Sequence, residues 1–526
     1  MQRLNKRILS INIHLVKWAV VVIFITAVFD SISQTLIQPI QREYNLNLDR
    51  KLNQAKEIQH TFSQPYVWNP NVDSLEKYDV GRWERKTRTS WGGRKLKNES
   101  FIVVDTGLFY MTLDPLFNFQ LGKDLSDTAN PDISTNTRGF IVQGAIGKRF
   151  SFSSSFYENQ SFFPKYLSDH ITSSEVVPGQ GRYKSFQTGG FDYAMSNGLI
   201  AFRPWDFLTI QGGHGKNFYG NGYRSLLLSD NSFNYPHLKI TANLFENKVQ
   251  YQTMHASLIE LTRLPATTSS ESQFIRKAGT FHSLGYSPIS QLEISVFEGV
   301  IYQNWDSLGT VPLPGSFYVP VIFLNTALNG LESNGTNSVL GMSIRVNPIR
   351  NIKLYGQLAY DGFQNITSVS YQAGLHVFDV FGLKDLHFQT EYNQIDRYLY
   401  MHSNSDLAYE HYNGYLGHPS GNDLSELISF VDYKWHDILI RMKYSAINQF
   451  GYVRVPGSGG LTQNIRVENV RVYPEISLAY LFNPKNTMMI EVGYKGRESA
   501  NQFTSSQTDW IFAALRMNLQ NFYYDF

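Results

Sequence analysis

Apolar and polar side chains alternate with a period of two over most of the chain from residue 100 onward. The segment SVLGMSIRV places its large apolar residues on one face, and IKLYGQLAY repeats this pattern after the turn NPIRN. ILIRMKY, EISLAYLF and TMMIEVGYK follow the same rule. Successive side chains of a β-strand point to opposite faces, so the pattern predicts two-faced strands joined as hairpins.

The connections between these segments indicate how the strands are arranged. We count eight short turns in alternation with nine mostly longer connections, which makes 17 connections and 18 strands. The short turns are expected near residues 147–148, 203–206, 245–248, 287–290, 347–351, 380–384, 434–437 and 483–486. An even number of strands with short turns at one end is typical of bacterial outer-membrane barrels. The predicted fold is all-β: a transmembrane antiparallel β-barrel of about 18 strands, with both termini in the periplasm of a Gram-negative bacterium.

The first 33 residues have the organisation of a secretory signal peptide. Basic residues lead into the apolar run WAVVVIFITAVF, Trp18–Phe29, and Ser31 and Ser33 follow at the spacing of a cleavage site. We expect cleavage after Ser33, with an uncleaved anchor helix as the alternative, for which Asp30 is unfavourable. No other segment approaches 18 uninterrupted apolar residues, so a membrane-embedded mature chain would cross with strands.

Residues 34–99 precede the barrel, predicted over 100–526, and form a periplasmic helix followed by a basic plug or linker segment. In QREYNLNLDRKLNQAKEIQHTF the apolar residues recur every three or four positions from Tyr44 to Phe62, which predicts one amphipathic helix. The segment Arg82–Lys97 is strongly basic. It is either a solvated or lumen-lining linker or a plug segment that contacts acidic glycan or lipid head groups.

The chain ends on aromatic residues that belong to the opposite phase from the last apolar strand. IFAALRMNL alternates regularly, but NFYYDF continues out of register, so we expect a bulge or the end of the strand near Gln520 or Asn521. Phe526 resembles the C-terminal aromatic residue of outer-membrane barrels. We therefore expect the barrel-assembly machinery to use it as the insertion signal.

Composition adds three constraints. A formal net charge of +2 provides no field for nucleic acid, and the absence of cysteine excludes thiolate metal sites. The 32 tyrosines and 36 phenylalanines are enough to form aromatic girdles at the membrane interfaces. An 18-stranded barrel has a lumen too wide for its own strand side chains to fill, so it is either plugged or conducts.

The glycine-rich stretch GGHGKNFYGNGYRSLLLSDNSFNYP, residues 212–236, fits neither the dinucleotide fingerprint nor the phosphate-binding loop. Ser225 or Ser229 with His214 and Asp230 could form a hydrolase triad, but such residues are common in loops, so we predict no enzyme activity. We also predict no metal and no cofactor. The histidines of the Tyr-rich loop lack zinc-protease spacing; they are His402, His411 and His418. The remaining interpretation is a loop folded into the lumen, in which Arg224 and Asp230 could pair.

Five segments of the chain carry a family resemblance: GHGKNFYGNGYRSLLLSDNSFNYPHLKI, NTRGFIVQGAIGKRFSFSSSFYENQSFFP, VPGQGRYKSFQTGGFDYAMSNG, AYEHYNGYLGHPSGNDLSELI and RKLKNES. Together they resemble the Wzi-like capsule-assembly outer-membrane proteins of Bacteroidetes, a family that includes the gliding-motility protein RemB. The resemblance implies a barrel plugged by N-terminal helices and inward-folded loops, which acts on exopolysaccharide at the cell surface.

The expected function is therefore to anchor or organise surface polysaccharide in capsule assembly, with support of gliding motility or adhesion. The expected partners are surface polysaccharide, outer-membrane lipid and the barrel-assembly machinery, and no nucleic acid. The alternative is an outer-membrane porin for small solutes. The candidate ligand-binding or plug-loop residues are Lys216, Arg224, Asp230, Tyr235 and His418.

Overall fold

A computed structural model describes residues 36–67, 87–263, 274–306, 309–456 and 462–526. Within these residues, 18 antiparallel strands form a closed barrel. The strands are β1 Phe109–Asp124, β2 Asp132–Ile146, β3 Phe150–Phe162, β4 Gly190–Trp205, β5 Leu208–Gly215, β6 Tyr235–Leu244, β7 Val249–Arg263, β8 Phe274–Ile289, β9 Leu292–Gln303, β10 Thr336–Ile349, β11 Ile352–Phe363, β12 Ile366–Val377, β13 Leu386–Ile395, β14 Leu424–Trp435, β15 Ile438–Pro456, β16 Thr462–Asn483, β17 Met488–Ala500 and β18 Ser505–Met517. β18 pairs with β1 and closes the barrel. The predicted strand number is confirmed. The predicted signal peptide lies outside the described residues.

The barrel wall has apolar side chains outside and polar side chains inside. On β10, Met342 and Ile344 are exposed on the outer surface, whereas Ser343 and Arg345 are buried. β11 repeats this, with Leu354 exposed. The period-two alternation predicted these faces correctly, because the charged phase turns towards the lumen, where it finds hydrogen-bonding partners. A lysine or arginine facing lipid at the midplane would cost about 2–4 kcal/mol.

The two ends of the barrel differ in their connections. All eight predicted short turns join strands at one end, which we call the turn end. The opposite, loop end carries the long connections of residues 163–189, 304–335 and 396–423. One loop-end connection is as short as a turn, because Gln364 and Asn365 both adopt positive φ and close a two-residue hairpin between β11 and β12.

Five α-helices accompany the strands in the described part of the chain: α1 Arg42–Gln54, α2 Trp91–Lys97, α3 Lys165–Ser174, α4 Gly315–Tyr318 and α5 Leu324–Asn329. Across the described ranges no helix has the length and apolar character needed to cross a membrane. The predicted amphipathic helix is shorter than expected. The helix ends at Gln54, because Ala55 adopts an extended conformation. Beyond it the chain is not helical, and Nδ1 of His60 lies 3.0 Å from the carboxylate of Glu293 on β9.

The last strand ends earlier than the sequence indicated. β18 stops at Met517, Asn518 takes a positive φ of 57°, and the following residues turn into the lumen. The short strand Ile102–Asp105 takes the vacated place in the wall and pairs with Tyr110–Leu113 of β1. The out-of-phase aromatic residues therefore belong to a separate inward segment, residues 518–526, which we call the C-terminal segment.

Candidate functional site

The loop of residues 216–234, which we call the central loop, fills the middle of the lumen. Its apolar triplet Leu226–Leu228 is fully buried and packs in one cluster with Phe281 and Phe297, whose side chains come from the wall. Phe218 and Tyr219 pair with Ser63 and Gln64 of the N-terminal chain. The glycine-rich stretch thus supplies a hydrophobic core inside the barrel, as the inward-loop interpretation predicted.

Arg224 is the most deeply buried charged side chain of the central loop. Its guanidinium donates to both carboxylate oxygens of Glu426 on β14, at 2.8 and 3.1 Å, and to Asp525 of the C-terminal segment at 2.9 Å. The expected pairing of Arg224 with Asp230 does not form. The central loop places the guanidinium between a wall carboxylate and a tail carboxylate, and only tertiary structure brings those two together.

The ion pairs continue from Asp525 along the inner wall. Lys443 lies 2.6 Å from Asp525 and 2.9 Å from Glu475, and Lys495 lies 2.9 Å from the other oxygen of Glu475. With Arg224 and Glu426 this chain has three cations and three carboxylates. Buried charges are tolerated when paired and hydrogen-bonded in this way. We call these six residues the Arg224 network.

His418 joins the Arg224 network from the loop end. Its Nε2 lies 2.7 Å from Glu426, and its ring is fully buried. Burial lowers the pKa of His418, while the Glu426 carboxylate acts in the opposite direction. The imidazole therefore fixes the loop of residues 396–423 to the same wall carboxylate that holds Arg224.

Asp230 and Lys216 lie together, but not as an ion pair. Asp230 accepts from Tyr523 at 2.7 Å and from Asn521 at 3.2 Å, both in the C-terminal segment. Lys216 donates to the backbone oxygen of Asp230 at 2.8 Å. Burial raises the pKa of Asp230 and lowers that of Lys216 to about 8. Tyr235 is also buried, with its ring edge-on to His411 at 5.6 Å.

All five candidate residues are therefore buried inside the barrel, where their side chains contact other parts of the chain. Phe526 is inside as well, with its ring 4.3 Å from that of His170 on α3. This position is away from the end of the last strand, and its role as an insertion signal stays a prediction.

The two serines considered for a hydrolase triad both donate hydrogen bonds to backbone oxygens. Ser225 donates to the oxygen of Tyr219 at 2.6 Å and Ser229 donates to that of Gly417 at 2.5 Å. The ring of His214 packs edge-on against Phe233. The side chains weighed as a triad therefore have other partners in this arrangement. His402, His411 and His418 likewise have different partners, and in the described ranges no group of three His, Asp or Glu side chains is placed to hold a metal ion.

α1 closes the turn end of the lumen. Arg42 pairs with Asp432 at 2.8 Å, Arg50 pairs with Asp379 at 3.0 Å, and Asp49 accepts from Lys353 at 2.9 Å. These partners belong to β14, to a short turn and to β11, so the helix is fixed to separate parts of the wall.

The loop of residues 396–423 covers the central loop from the loop end. The hydroxyl of Tyr400 donates to the backbone oxygen of Leu226 at 2.7 Å, and that of Tyr409 donates to Leu227 at 2.8 Å. The two rings are stacked with centroids 5.7 Å apart. The lumen is thus occupied from the turn end to the loop end by α1, the central loop, the C-terminal segment and this cover.

A cluster of side chains at the loop end is exposed to solvent, in contrast to the buried side chains of the lumen. Arg397 is exposed, donates to the Tyr452 hydroxyl at 2.6 Å and lies 5.3 Å above the Tyr398 ring, which stacks on Phe363. Tyr452 is 54% exposed. We call Arg397, Tyr398, Tyr452 and Phe363 the rim patch. The sequence pointed to a Tyr-rich loop but not to this group of residues, because they come from three separate parts of the chain: the loop of residues 396–423, β11 and β15.

A second exposed arginine lies over an aromatic ring nearby on the adjoining strands. Arg466 on β16 is 4.1 Å from the centroid of Phe450 and makes two hydrogen bonds to Asp423 at 2.8 and 2.9 Å. The loop end therefore presents guanidinium groups and ring faces to solvent, whereas the Arg224 network holds its charged groups in buried ion pairs.

Comparison with known proteins identifies the architecture. Wzi, an outer-membrane protein involved in group 1 capsule assembly in Escherichia coli and described as a carbohydrate-binding β-barrel, matches 92% of this chain and 100% of its own, with a TM-score of 0.52 and 12% identity. The fold is that of an outer-membrane β-barrel. OccAB2 of Acinetobacter baumannii covers 77% of this chain and 97% of its own at a TM-score of 0.42 and 10% identity. A BenF-like porin of Pseudomonas fluorescens Pf-5 covers 78% and 99% at a TM-score of 0.40 and 10% identity. No protein-family model and no curated protein matches the chain.

Proposed function

We propose that this chain is a plugged outer-membrane barrel without enzymatic activity, which holds surface polysaccharide at its loop end. The short turns would face the periplasm and the long connections the cell exterior. The observation that carries the proposal is the filled lumen. Because α1, the Arg224 network and the loop of residues 396–423 fill the lumen, little free passage is left for solute. The exposed loop end is therefore the surface on which a ligand can act.

The rim patch has the chemistry that an acidic polysaccharide requires. A guanidinium donates two parallel hydrogen bonds to a carboxylate, and the face of an aromatic ring provides a flat apolar surface for a sugar ring. Arg397 lies across two tyrosine rings, which limits its freedom and keeps its outer edge towards solvent. The fold similarity to a carbohydrate-binding barrel supports the same assignment. A role in gliding or adhesion would follow from holding polysaccharide at the surface.

Retention of the organism's own extracted surface polysaccharide by the purified barrel tests the proposal. Arg397→Ala combined with Tyr398→Ala should weaken retention about tenfold, which corresponds to about 1.4 kcal/mol. Phe503→Ala is the matched control, because Phe503 is an exposed aromatic residue of a different loop-end connection. Equal retention by all three proteins would overturn the rim-patch assignment. A deletion strain with normal capsule, adhesion and spreading would overturn the function.

Conductance in a planar bilayer distinguishes the plugged barrel from the porin alternative. The full chain should show no large, stable channels. Removal of Leu46–Phe62 alone should raise conductance only slightly, because the central loop and the C-terminal segment remain in the lumen. Large channels from the intact protein would favour the porin.

A further inference from the structure

The helix α2 lies on the outer side of the barrel wall, although residues 42–64 lie inside the lumen. Asn483 at the end of β16 donates to the backbone oxygens of Lys95 and Glu99, at 3.1 and 2.8 Å. Lys97 donates to the Tyr480 hydroxyl at 2.9 Å and lies 4.6 Å from the centre of that ring. Tyr480 is in the outward phase of β16 with the exposed Leu478. The basic segment therefore does not enter the lumen over residues 87–97, and its residues 82–86 lie outside the described part of the chain.

The side chains of α2 and the strand after it form an exposed apolar edge. Trp91 is 62% exposed and packs edge-on against Phe101, which is itself exposed. Leu96 and Ile102 are also exposed. In a water-soluble protein such a group would be an unusual patch, but here it adjoins the apolar outer wall.

The same end of the barrel carries a ring of exposed aromatic side chains. They project from the short turns and the strand ends beside them: Trp205, Phe207, Phe245, Phe381 and Trp435. In outer-membrane barrels, exposed aromatic residues near the strand ends mark the interface between the hydrocarbon core and the lipid head groups. Trp91 also lies at the turn end, so α2 adds one more aromatic side chain to this circle of exposed aromatic residues.

Positive charge accompanies this apolar edge. Between residues 88 and 99 there are four cations, Arg88, Arg94, Lys95 and Lys97, and one carboxylate, Glu99, so the segment has a net charge of +3. Arg94 and Lys95 lie 2.9 and 3.5 Å from Glu99. A short amphipathic element with aromatic and basic side chains is suited to the head-group region of an anionic bilayer.

We propose that residues 88–103 are an interfacial anchor that docks on the leaflet at the turn end. Trp91, Leu96 and Phe101 enter the boundary between head groups and acyl chains, and the cations contact the phosphates of anionic phospholipids. The anchor holds the chain against the outer wall after it leaves the lumen. This inference depends on the outer-membrane fold and not on polysaccharide binding.

The complete absence of cysteine allows a direct test with the full-length protein. Leu96→Cys is labelled with a fluorophore, and the protein is placed in nanodiscs of phosphatidylcholine with or without phosphatidylglycerol. A nitroxide quencher is attached to the lipid acyl chains at either a shallow or a deep position. Lys148→Cys is the control, because it labels an exposed polar turn at the same end. We expect at least twofold stronger quenching at position 96 than at 148, greatest with the shallow nitroxide.

Phosphatidylglycerol should strengthen the quenching at position 96. Replacing Arg94, Lys95 and Lys97 together by Gln in the Leu96→Cys protein should remove this dependence. Quenching at position 96 no greater than at 148 would overturn the anchor. Quenching that does not respond to phosphatidylglycerol would overturn the contact with anionic head groups.

Discussion

Two arginine clusters of this barrel use the same side chain in opposite ways. Arg224 is fully buried and is held by Glu426 and Asp525, so its charge joins three parts of the chain inside the lumen. Arg397 and Arg466 are exposed at the loop end, and each lies over an aromatic ring. The first cluster stabilises the fold because its charges are buried, and leaving one of them unpaired would be costly. The second cluster is exposed, so its arginines contribute little to stability and are accessible to a ligand.

Breaking the buried cluster should produce the largest effect on stability. Arg224→Ala takes the guanidinium away from the buried Glu426 and leaves Asp525 paired with Lys443 alone, and we expect a loss of about 3–5 kcal/mol in the free energy of unfolding. The midpoint of the heat-induced mobility shift of the purified barrel on gels measures this. Arg466→Ala is the matched control, because its partner Asp423 can be solvated, and its midpoint should not move. Equal midpoints for both variants would contradict the contrast between the clusters.

A smaller effect is expected from pH, through His411 in the cover of the lumen. The N–H of Ile259 donates to its Nδ1 at 3.0 Å, and its Nε2 lies 3.2 Å from the oxygen of Asn234, so a neutral ring satisfies both. Burial lowers the pKa of His411 to about 3. The unfolded chain takes up a proton on this imidazole near pH 6.5, whereas the folded chain does so only near pH 3. The contribution of the neutral ring to the free energy of unfolding is therefore complete above pH 6.5 and is lost as the pH falls towards 3.

Lowering the pH from 7 to 5 should therefore reduce the free energy of unfolding by about 2 kcal/mol through His411. His411→Gln should therefore lose about 2 kcal/mol less than the unmodified protein over the same interval, as measured by the shift of the unfolding midpoint. The same loss in both proteins would assign the acid sensitivity to other groups.

The contact between the C-terminal segment and the central loop should have a more modest effect. Tyr523→Phe removes one hydrogen bond to the buried Asp230, which keeps Asn521 as a donor, so we expect a loss of about 1–2 kcal/mol. Thermal unfolding in detergent measures it. A midpoint unchanged from that of the unmodified protein would show that this contact does not stabilise the plug.

The smallest effect on stability is expected at the rim patch. Arg397→Ala removes an exposed side chain whose hydrogen-bonding partner is itself exposed, and the unfolding midpoint should stay where it is. A clear loss of stability in this variant would make the rim patch a structural feature and would remove the distinction between the two clusters.

Period-two alternation was sufficient for the barrel and for the direction of its side chains. Arg345 and Gln357 lie in the polar phase of SVLGMSIRV and IKLYGQLAY, and both are buried inside the barrel. The positions of the short turns followed from breaks in the same pattern. These predictions succeeded because the lipid and the lumen impose opposite requirements on alternate residues of every strand.

The contents of the lumen followed only partly from the sequence. The central loop was correctly expected inside, but its pairing was wrong, since Arg224 contacts Glu426, about 200 positions away, instead of Asp230. For the C-terminal segment, the change of phase of its aromatic residues predicted a bulge or the end of the strand near Gln520 or Asn521, and the strand ends slightly earlier, at Met517. A phase change shows that a strand ends but not where the chain goes next.

The sequence by itself determined the wall: strand number, the two faces and the turn end follow from local alternation that repeats around the barrel. Tertiary structure alone decided which carboxylates hold Arg224, that residues 518–526 fold back inside, and that α2 lies on the outer side. Each of these depends on contacts between segments far apart in the chain, whose side chains meet only after the wall has closed and has excluded water from the lumen.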